Sequence, residues 1–121
     1  MFNAYVNRVI DGDTIDADID LGFDVFAKRR VRLLNVDTPE RRQKNYQEAT
    51  YFTKDKVYNK NIILQTYKDD AFGRYLGVIW YKENEDDEIY ELLSNKLIDN
   101  KLEKPDSEWN NYIKLRDGYY A

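Results

Sequence analysis

Strict alternation of apolar and polar residues over positions 15–21 is the clearest pattern in the chain. Apolar residues at 15, 17, 19 and 21 alternate with Asp16, Asp18 and Asp20, which predicts a strand with one buried and one wet face. The alternating residues 1–6 predict a strand before it, and residues 25–36 predict a third that Pro39 ends. With Gly22-Phe23-Asp24 as a turn, this part of the chain should be a three-stranded meander.

Helices and strands alternate in the remainder. Ala49, Phe52, Thr53 and Val57 recur at helical spacing, so residues 46–59 are predicted to form an amphipathic helix. Residues 62–67 and 75–81 predict two more strands, the second nearly continuous in apolar and aromatic residues. Helical spacing returns over residues 89–97, and Trp109, Tyr112 and Ile113 suggest a last short helix after Pro105. The predicted fold is α+β and mainly β, a five-stranded OB-fold barrel with about three helices.

Composition limits the class of protein. At 121 residues, 42% hydrophobic and 15% aromatic, the chain is expected to be one folded domain over residues 1–121 and a monomer. No apolar run approaches the roughly 18 residues of a membrane span. The first six residues lack the features of a signal peptide, so we expect a cytoplasmic protein, or a secreted one if a leader has been removed.

The chain has no cysteine and no histidine. Disulfides and thiolate metal sites are therefore excluded, as are the usual general base and the favoured ligand of zinc. Any metal ion bound by these side chains must be held by oxygen.

Charge is unevenly distributed along the sequence. The net charge of −4 and the pI of about 4.9 argue against a protein that holds nucleic acid by bulk electrostatics. Residues 28–44, however, include seven basic residues against two acids, and residues 82–91 six acids against one base. A phosphate-facing surface should lie near the first block, although each block also fits a solvated loop.

Two aspartates are candidate metal ligands. Asp13 stands where a turn enters the second strand, and Asp37 ends the third. If these strands are neighbours, both carboxylates can converge on one hard cation, with the carbonyl of Thr38 as a third ligand. Glu40 is then the remaining acid placed to orient or deprotonate a water.

Two arginines complete a set suited to phosphodiester hydrolysis. Arg32 is predicted to share a strand face with Leu34 and Val36, which directs it toward the same place, and Arg74 precedes the fifth strand. Both could neutralise charge on phosphate oxygens. Taken singly, each residue also fits a structural role, since Asp-Gly and Thr-Pro are common in turns and a strand arginine is often in a surface ion pair.

Four motifs in order resemble the thermonuclease family, named for staphylococcal nuclease, over about residues 3–102. They are Ile10-Asp11-Gly12-Asp13-Thr14, Arg32-Leu33-Leu34 with Val36-Asp37-Thr38-Pro39-Glu40, Glu48-Ala49 with Phe52, and Phe72-Gly73-Arg74. The resemblance implies an OB-fold barrel, a Ca2+ cofactor, and cleavage of DNA and RNA in single-stranded or breathing regions, leaving 3′-phosphate ends.

The resemblance also implies a role for each candidate residue. Calcium would be bound by Asp13, Asp37 and the carbonyl of Thr38. Glu40 would act as general base or water positioner, and Arg32 and Arg74 would contact the phosphate in the transition state.

The sequence departs from the family at several places, two of which bear on nucleotide binding. Many members have Lys-Tyr where this chain has Ala71-Phe72, and residues 101–107 lack the aromatic residues that stack near the base. We therefore expect weaker nucleotide affinity. Tyr119 and Tyr120 are the aromatic residues that could substitute.

The alternative is a catalytically weak or inactive barrel that binds nucleic acid or a protein partner. Such a domain would be expected to have lost one or more of the five charged site residues, and all five are present. A non-enzymatic single-strand binder would need a basic groove, against which the acidic pI argues.

Overall fold

Strands are the main regular secondary structure in a computed structural model, which describes residues 1–69, 74–116 and 119–120. The long strands are β1 (Phe2–Asp11), β2 (Thr14–Asp20), β3 (Phe26–Leu33), β4 (Asn61–Asp69) and β5 (Tyr75–Tyr81). The helices are α1 (Tyr46–Val57) and α2 (Leu93–Asp99), and the short strands are β6 (Glu91–Leu92), β7 (Leu115–Arg116) and β8 (Tyr119–Tyr120). None of the described helices is both long enough and apolar enough to span a bilayer.

The long strands close into a barrel. Neighbours follow the order β3-β2-β1-β4-β5, all antiparallel, and β3 then pairs with β5 in parallel, with Val31 opposite Tyr75. Closure removes the sheet edge along residues 31–33 of β3. The predicted five-stranded OB-fold barrel is therefore confirmed.

The period-2 pattern correctly predicts which face of β2 is buried. Ile15, Ala17 and Ile19 are at most 5% exposed and belong to the main core. Leu21 does not follow this pattern, because β2 ends at Asp20 and Leu21 begins the turn, where it is half exposed.

The predicted third strand is too long. β3 ends at Leu33 rather than residue 36, because Asn35 adopts a left-handed conformation with φ of 68°. Strand alternation therefore stops before Leu34, so the expected shared face of Arg32, Leu34 and Val36 is wrong.

Helix α1 agrees with its predicted spacing, since Ala49, Thr53 and Val57 are buried. The second predicted helix begins late: residues 91–92 pair with β5 instead, and Ile89 is exposed. The predicted third helix is absent from residues 105–114. Within this segment, the backbone of Ile113 makes two hydrogen bonds, of 2.6 and 2.8 Å, with the side chain of Asn95 on α2. These bonds hold the segment against α2 in place of helical hydrogen bonds.

An ion pair links α1 to the end of β5. Lys56 Nζ lies 2.9 Å from Glu83 Oε2, and the Tyr81 hydroxyl donates to Glu83 Oε1 at 3.0 Å. The hydrogen bond from Lys56 is the largest cause that lowers the pKa of Glu83. Because the folded-state pKa is the lower one, this stabilisation is present above the usual carboxyl pKa and is lost as the pH falls through the folded value.

We expect Glu83→Gln to lower the free energy of unfolding at pH 7 by about 0.5–1 kcal/mol, since the pair is partly exposed and screened. The difference from the parent should shrink as the pH is lowered from 7 to 3, because protonation of the parent carboxyl removes the charge that Gln lacks. Urea unfolding at both pH values measures it, with the exposed Glu85→Gln as control. A difference of the same size at pH 3 would contradict the assignment to charge.

Candidate active site

The turn between β1 and β2 is locked by tight packing against α1. A Cβ atom on Gly12 would lie 2.9 Å from the Ala49 Cβ and from side-chain atoms of Thr38. Thr53 Oγ1 also donates to the Gly12 carbonyl at 2.7 Å. Only glycine fits this space, and the turn therefore holds Asp13 at a fixed position just before β2.

Asp13 is a buried carboxylate with several partners. Its Oδ2 accepts the Thr38 N–H at 2.9 Å and lies 3.3 Å from Arg32 Nη2, and its Oδ1 accepts from the Thr14 hydroxyl. Burial alone would raise the pKa of Asp13, but the Arg32 charge and the hydrogen bonds with Asp11 and Thr38 outweigh it. The net effect lowers the pKa, so Asp13 is anionic at neutral pH.

Asp37 lies in the loop after β3 and faces the same guanidinium. Its Oδ1 is 3.1 Å from Arg32 Nη2, and its Oδ2 accepts from the Ser107 hydroxyl at 2.9 Å. The fold thus brings the two predicted carboxylates into contact with one arginine nitrogen.

Arg32 is 9% exposed and makes several contacts with the protein. Its Nη1 donates to the carbonyls of Leu33 and Val36. The Trp109 ring lies over the guanidinium, with its centroid 5.1 Å from Cζ, and Trp109 Nε1 donates to the Leu33 carbonyl. These contacts fix the plane of the guanidinium between the two aspartates.

Glu40 lies beside this cluster rather than within it. Its carboxylate is exposed and forms an ion pair with Lys104, at 3.2 Å between Oε1 and Nζ. Its backbone N–H donates to the Gln43 side chain at 2.7 Å. The carboxylate is therefore accessible to water, as a general base must be.

Arg74 immediately precedes β5, whose Leu76 pairs with Arg32 across the parallel closure. The rest of its motif, Phe72-Gly73, and the Ala71-Phe72 departure lie outside the described residues. Thr38 contacts Asp13 through its N–H, while the ligand role of its carbonyl stays a prediction.

The carboxyl of Asp11, which neighbours Asp13, was not among the site residues predicted from the sequence. Burial, followed by the hydrogen bond and charge of Asp13, raises the pKa of Asp11 to about 6. Its Oδ1 also accepts the Asp13 N–H at 3.3 Å. The Asp11-Gly12-Asp13 triplet was the available signal, since it places two acids on one turn.

Residues 104–111, which we call the strap, contribute the other unforeseen contacts. Lys104 contacts Glu40, and Trp109 contacts Arg32. Ser107 contacts the Asp37 carboxylate, and Asn110 contacts the Asp37 backbone. No local pattern could have revealed them, because these partners are 64 to 77 positions apart along the chain.

The candidate ligands at this site are of the type that a hard cation binds, but too few of the described side chains are gathered to complete its coordination. The candidate side-chain ligands are all oxygens, which calcium and magnesium prefer, and both carboxylates contact Arg32 Nη2. Among the described residues, no group of three or more histidine, cysteine or acidic side chains is gathered as a metal site. The two aspartates are thus a partial donor set that backbone oxygen and water would have to complete.

Comparison with known proteins places this geometry in context. A family model described as "Staphylococcal nuclease homologue" matches residues 30–104. Thermonuclease of Staphylococcus intermedius is 41% identical over 83 residues, covering 62% of this chain and 46% of that protein. Protein ParB of Escherichia coli is 36% identical over 75 residues, covering 62% of this chain and 40% of that protein. Micrococcal nuclease of Shigella flexneri is 33% identical over 82 residues, covering 65% of this chain and 42% of that protein. The chain spans less than half the length of each of these relatives.

Proposed function

Because this chain belongs to the staphylococcal nuclease homologue family, we propose that it is a calcium-dependent endonuclease that hydrolyses phosphodiester bonds of DNA or RNA. The convergence of Asp13 and Asp37 on one buried Arg32 nitrogen, with Glu40 exposed beside it, supports this proposal most strongly. The relatives named thermonuclease and micrococcal nuclease agree with it.

Asp13 and Asp37 would hold the cation together with the carbonyl of Thr38. A bound calcium ion would polarise the scissile phosphate and offset its charge. The lowered pKa of Asp13 keeps this ligand ionised, and the Thr38 N–H that it accepts orients its carboxylate.

Glu40 would orient and deprotonate the attacking water. Lys104 forms an ion pair with one of its oxygens, and the other oxygen can accept a hydrogen bond from a water. With no histidine in the sequence, an exposed carboxylate beside the aspartate pair is the natural base.

Arg32 and Arg74 would stabilise charge that develops on the phosphate oxygens. Preorganised donors stabilise a transition state at little reorganisation cost, and Arg32 is held by two carbonyls, two carboxylates and an indole ring. Water attack opposite the 5′ oxygen would leave a 3′-phosphate end, as the family resemblance implies.

We expect plasmid nicking with calcium and its loss in excess chelator, with magnesium supporting less hydrolysis because it demands a stricter octahedral site. Agarose gels measure nicking. Products that a polymerase extends only after phosphatase treatment would carry 3′-phosphates. Robust cleavage in chelator would contradict the metal-dependent mechanism, and retarded but uncut plasmid would indicate a binding domain instead.

A further inference from the structure

The strap crosses the candidate site although all but its first residue lies beyond the family match, which ends at residue 104. Four of its hydrogen bonds reach the loop that includes Asp37. Ser107 donates to the Asp37 carboxylate, Asn110 accepts the Asp37 N–H at 2.6 Å, the Lys104 N–H donates to the Asp37 carbonyl, and the Asn111 N–H donates to the Asn35 carbonyl.

Asp37 depends on these contacts because no strand holds it. β3 has ended at Leu33, and the left-handed Asn35 turns the loop away from the ladder. The backbone N–H and carbonyl of Asp37, which a strand would pair with its neighbour, are paired with the strap. The strap therefore fixes the position of Asp37, as the tight turn at Gly12 fixes the position of Asp13.

The hydroxyl of Ser107 has a defined orientation. It accepts the Trp109 N–H at 3.2 Å, which directs its own hydrogen toward Asp37 Oδ2 at 2.9 Å. Arg32 holds the other oxygen, Oδ1. Each carboxylate oxygen has two lone pairs, so both retain one for a cation.

We propose that Ser107 and Asn110 are positioning residues that fix Asp37 as a cation ligand, an inference that rests on the proposed function above. Asn110 sets the backbone, since its amide also donates to the Lys104 carbonyl at 2.8 Å and closes the strap on itself. Ser107 fixes the orientation of the Asp37 carboxylate. Hydrogen bonds to metal-ligating side chains typically change metal affinity by about 10- to 100-fold.

Calcium titration calorimetry without nucleic acid tests the proposal on the full chain. Ser107→Ala should raise the calcium Kd by about tenfold or more, whereas Ser107→Thr, which keeps the hydroxyl, should bind like the parent. At saturating calcium, Ser107→Ala should recover a kcat close to the parent, because the Ser107 hydroxyl acts through the Asp37 carboxylate and has no role in the proposed chemical step. The matched control is Ser94→Ala, a buried serine on α2 whose hydroxyl makes no hydrogen bond to the described candidate site residues.

Thermal unfolding in chelator separates positioning from folding. Ser107→Ala should unfold near the parent temperature, and Asn110→Ala should lower both calcium affinity and stability because the Asp37 N–H loses its acceptor. Equal calcium affinity in the parent and Ser107→Ala would overturn the positioning role while leaving the proposed function intact. A parent that neither binds calcium nor cleaves would overturn both.

Discussion

Replacing Arg32 by lysine should lower kcat by roughly 30- to 1,000-fold, equivalent to about 2–4 kcal/mol of lost transition-state stabilisation. The planar guanidinium donates in several fixed directions at once, to the carbonyls of Leu33 and Val36 and to the carboxylates of Asp13 and Asp37. A lysine ammonium is a point charge that cannot reproduce this planar set of contacts. Arg74→Lys should cause a loss of similar size.

Steady-state cleavage of one oligonucleotide at fixed, saturating calcium and fixed salt measures this effect. Arg32 is buried, so its lysine variant will also lose stability, and kcat has to be compared well below both unfolding temperatures. Arg29→Lys and Arg42→Lys are matched controls with exposed side chains, and they should change kcat little because exposed charges act through screened attraction. Equal and small losses in all four variants would show that the basic block only attracts polyanions, which would favour a binding domain.

Replacing Glu40 by glutamine should lower kcat by roughly 100-fold or more, through loss of water activation, while nucleotide binding with calcium survives. The carboxylate is 72% exposed, so the fold should tolerate the change with no measurable loss of stability. Single-turnover cleavage together with calorimetry of nucleotide binding separates the chemical step from affinity.

Lys104→Gln is the control for the Glu40 experiment. It removes the ion-pair partner at 3.2 Å and leaves the carboxylate in place. Since an exposed pair contributes little, this variant should lose far less activity than Glu40→Gln. Losses of the same size would show that the ion pair, rather than the base, limits the reaction.

The local pattern of the sequence determined most of the barrel. Period-2 alternation identified the buried face of β2 because each strand residue points to the face opposite its neighbour, and helical spacing identified the buried face of α1. The expected adjacency of Asp13 and Asp37 also follows from local order, since strands that are consecutive in a meander usually pair. The register that sets Thr14 opposite Arg32 places the guanidinium beside Asp13.

Two expectations were wrong, one because of a contact distant in the chain and one because of a local change of backbone conformation. Helical spacing after Pro105 was overridden by the Asn95 side chain, which binds the Ile113 backbone. The expected long third strand was cut short at Leu33, and Arg32 reaches the carbonyl of Val36 by a loop rather than along a strand face. Periodicity reports only which face of an element is apolar, and it has no information about such partners.

The sequence by itself therefore determined the barrel, the family and the acidic and basic residues of the candidate site. Only the tertiary structure decided how those residues are held. The parallel pairing of β3 with β5 and the contacts of Ser107, Trp109 and Asn110 join positions more than 40 residues apart. Such contacts form because closing the barrel brings the ends of distant segments to one place, where their polar groups must find partners before they can be buried.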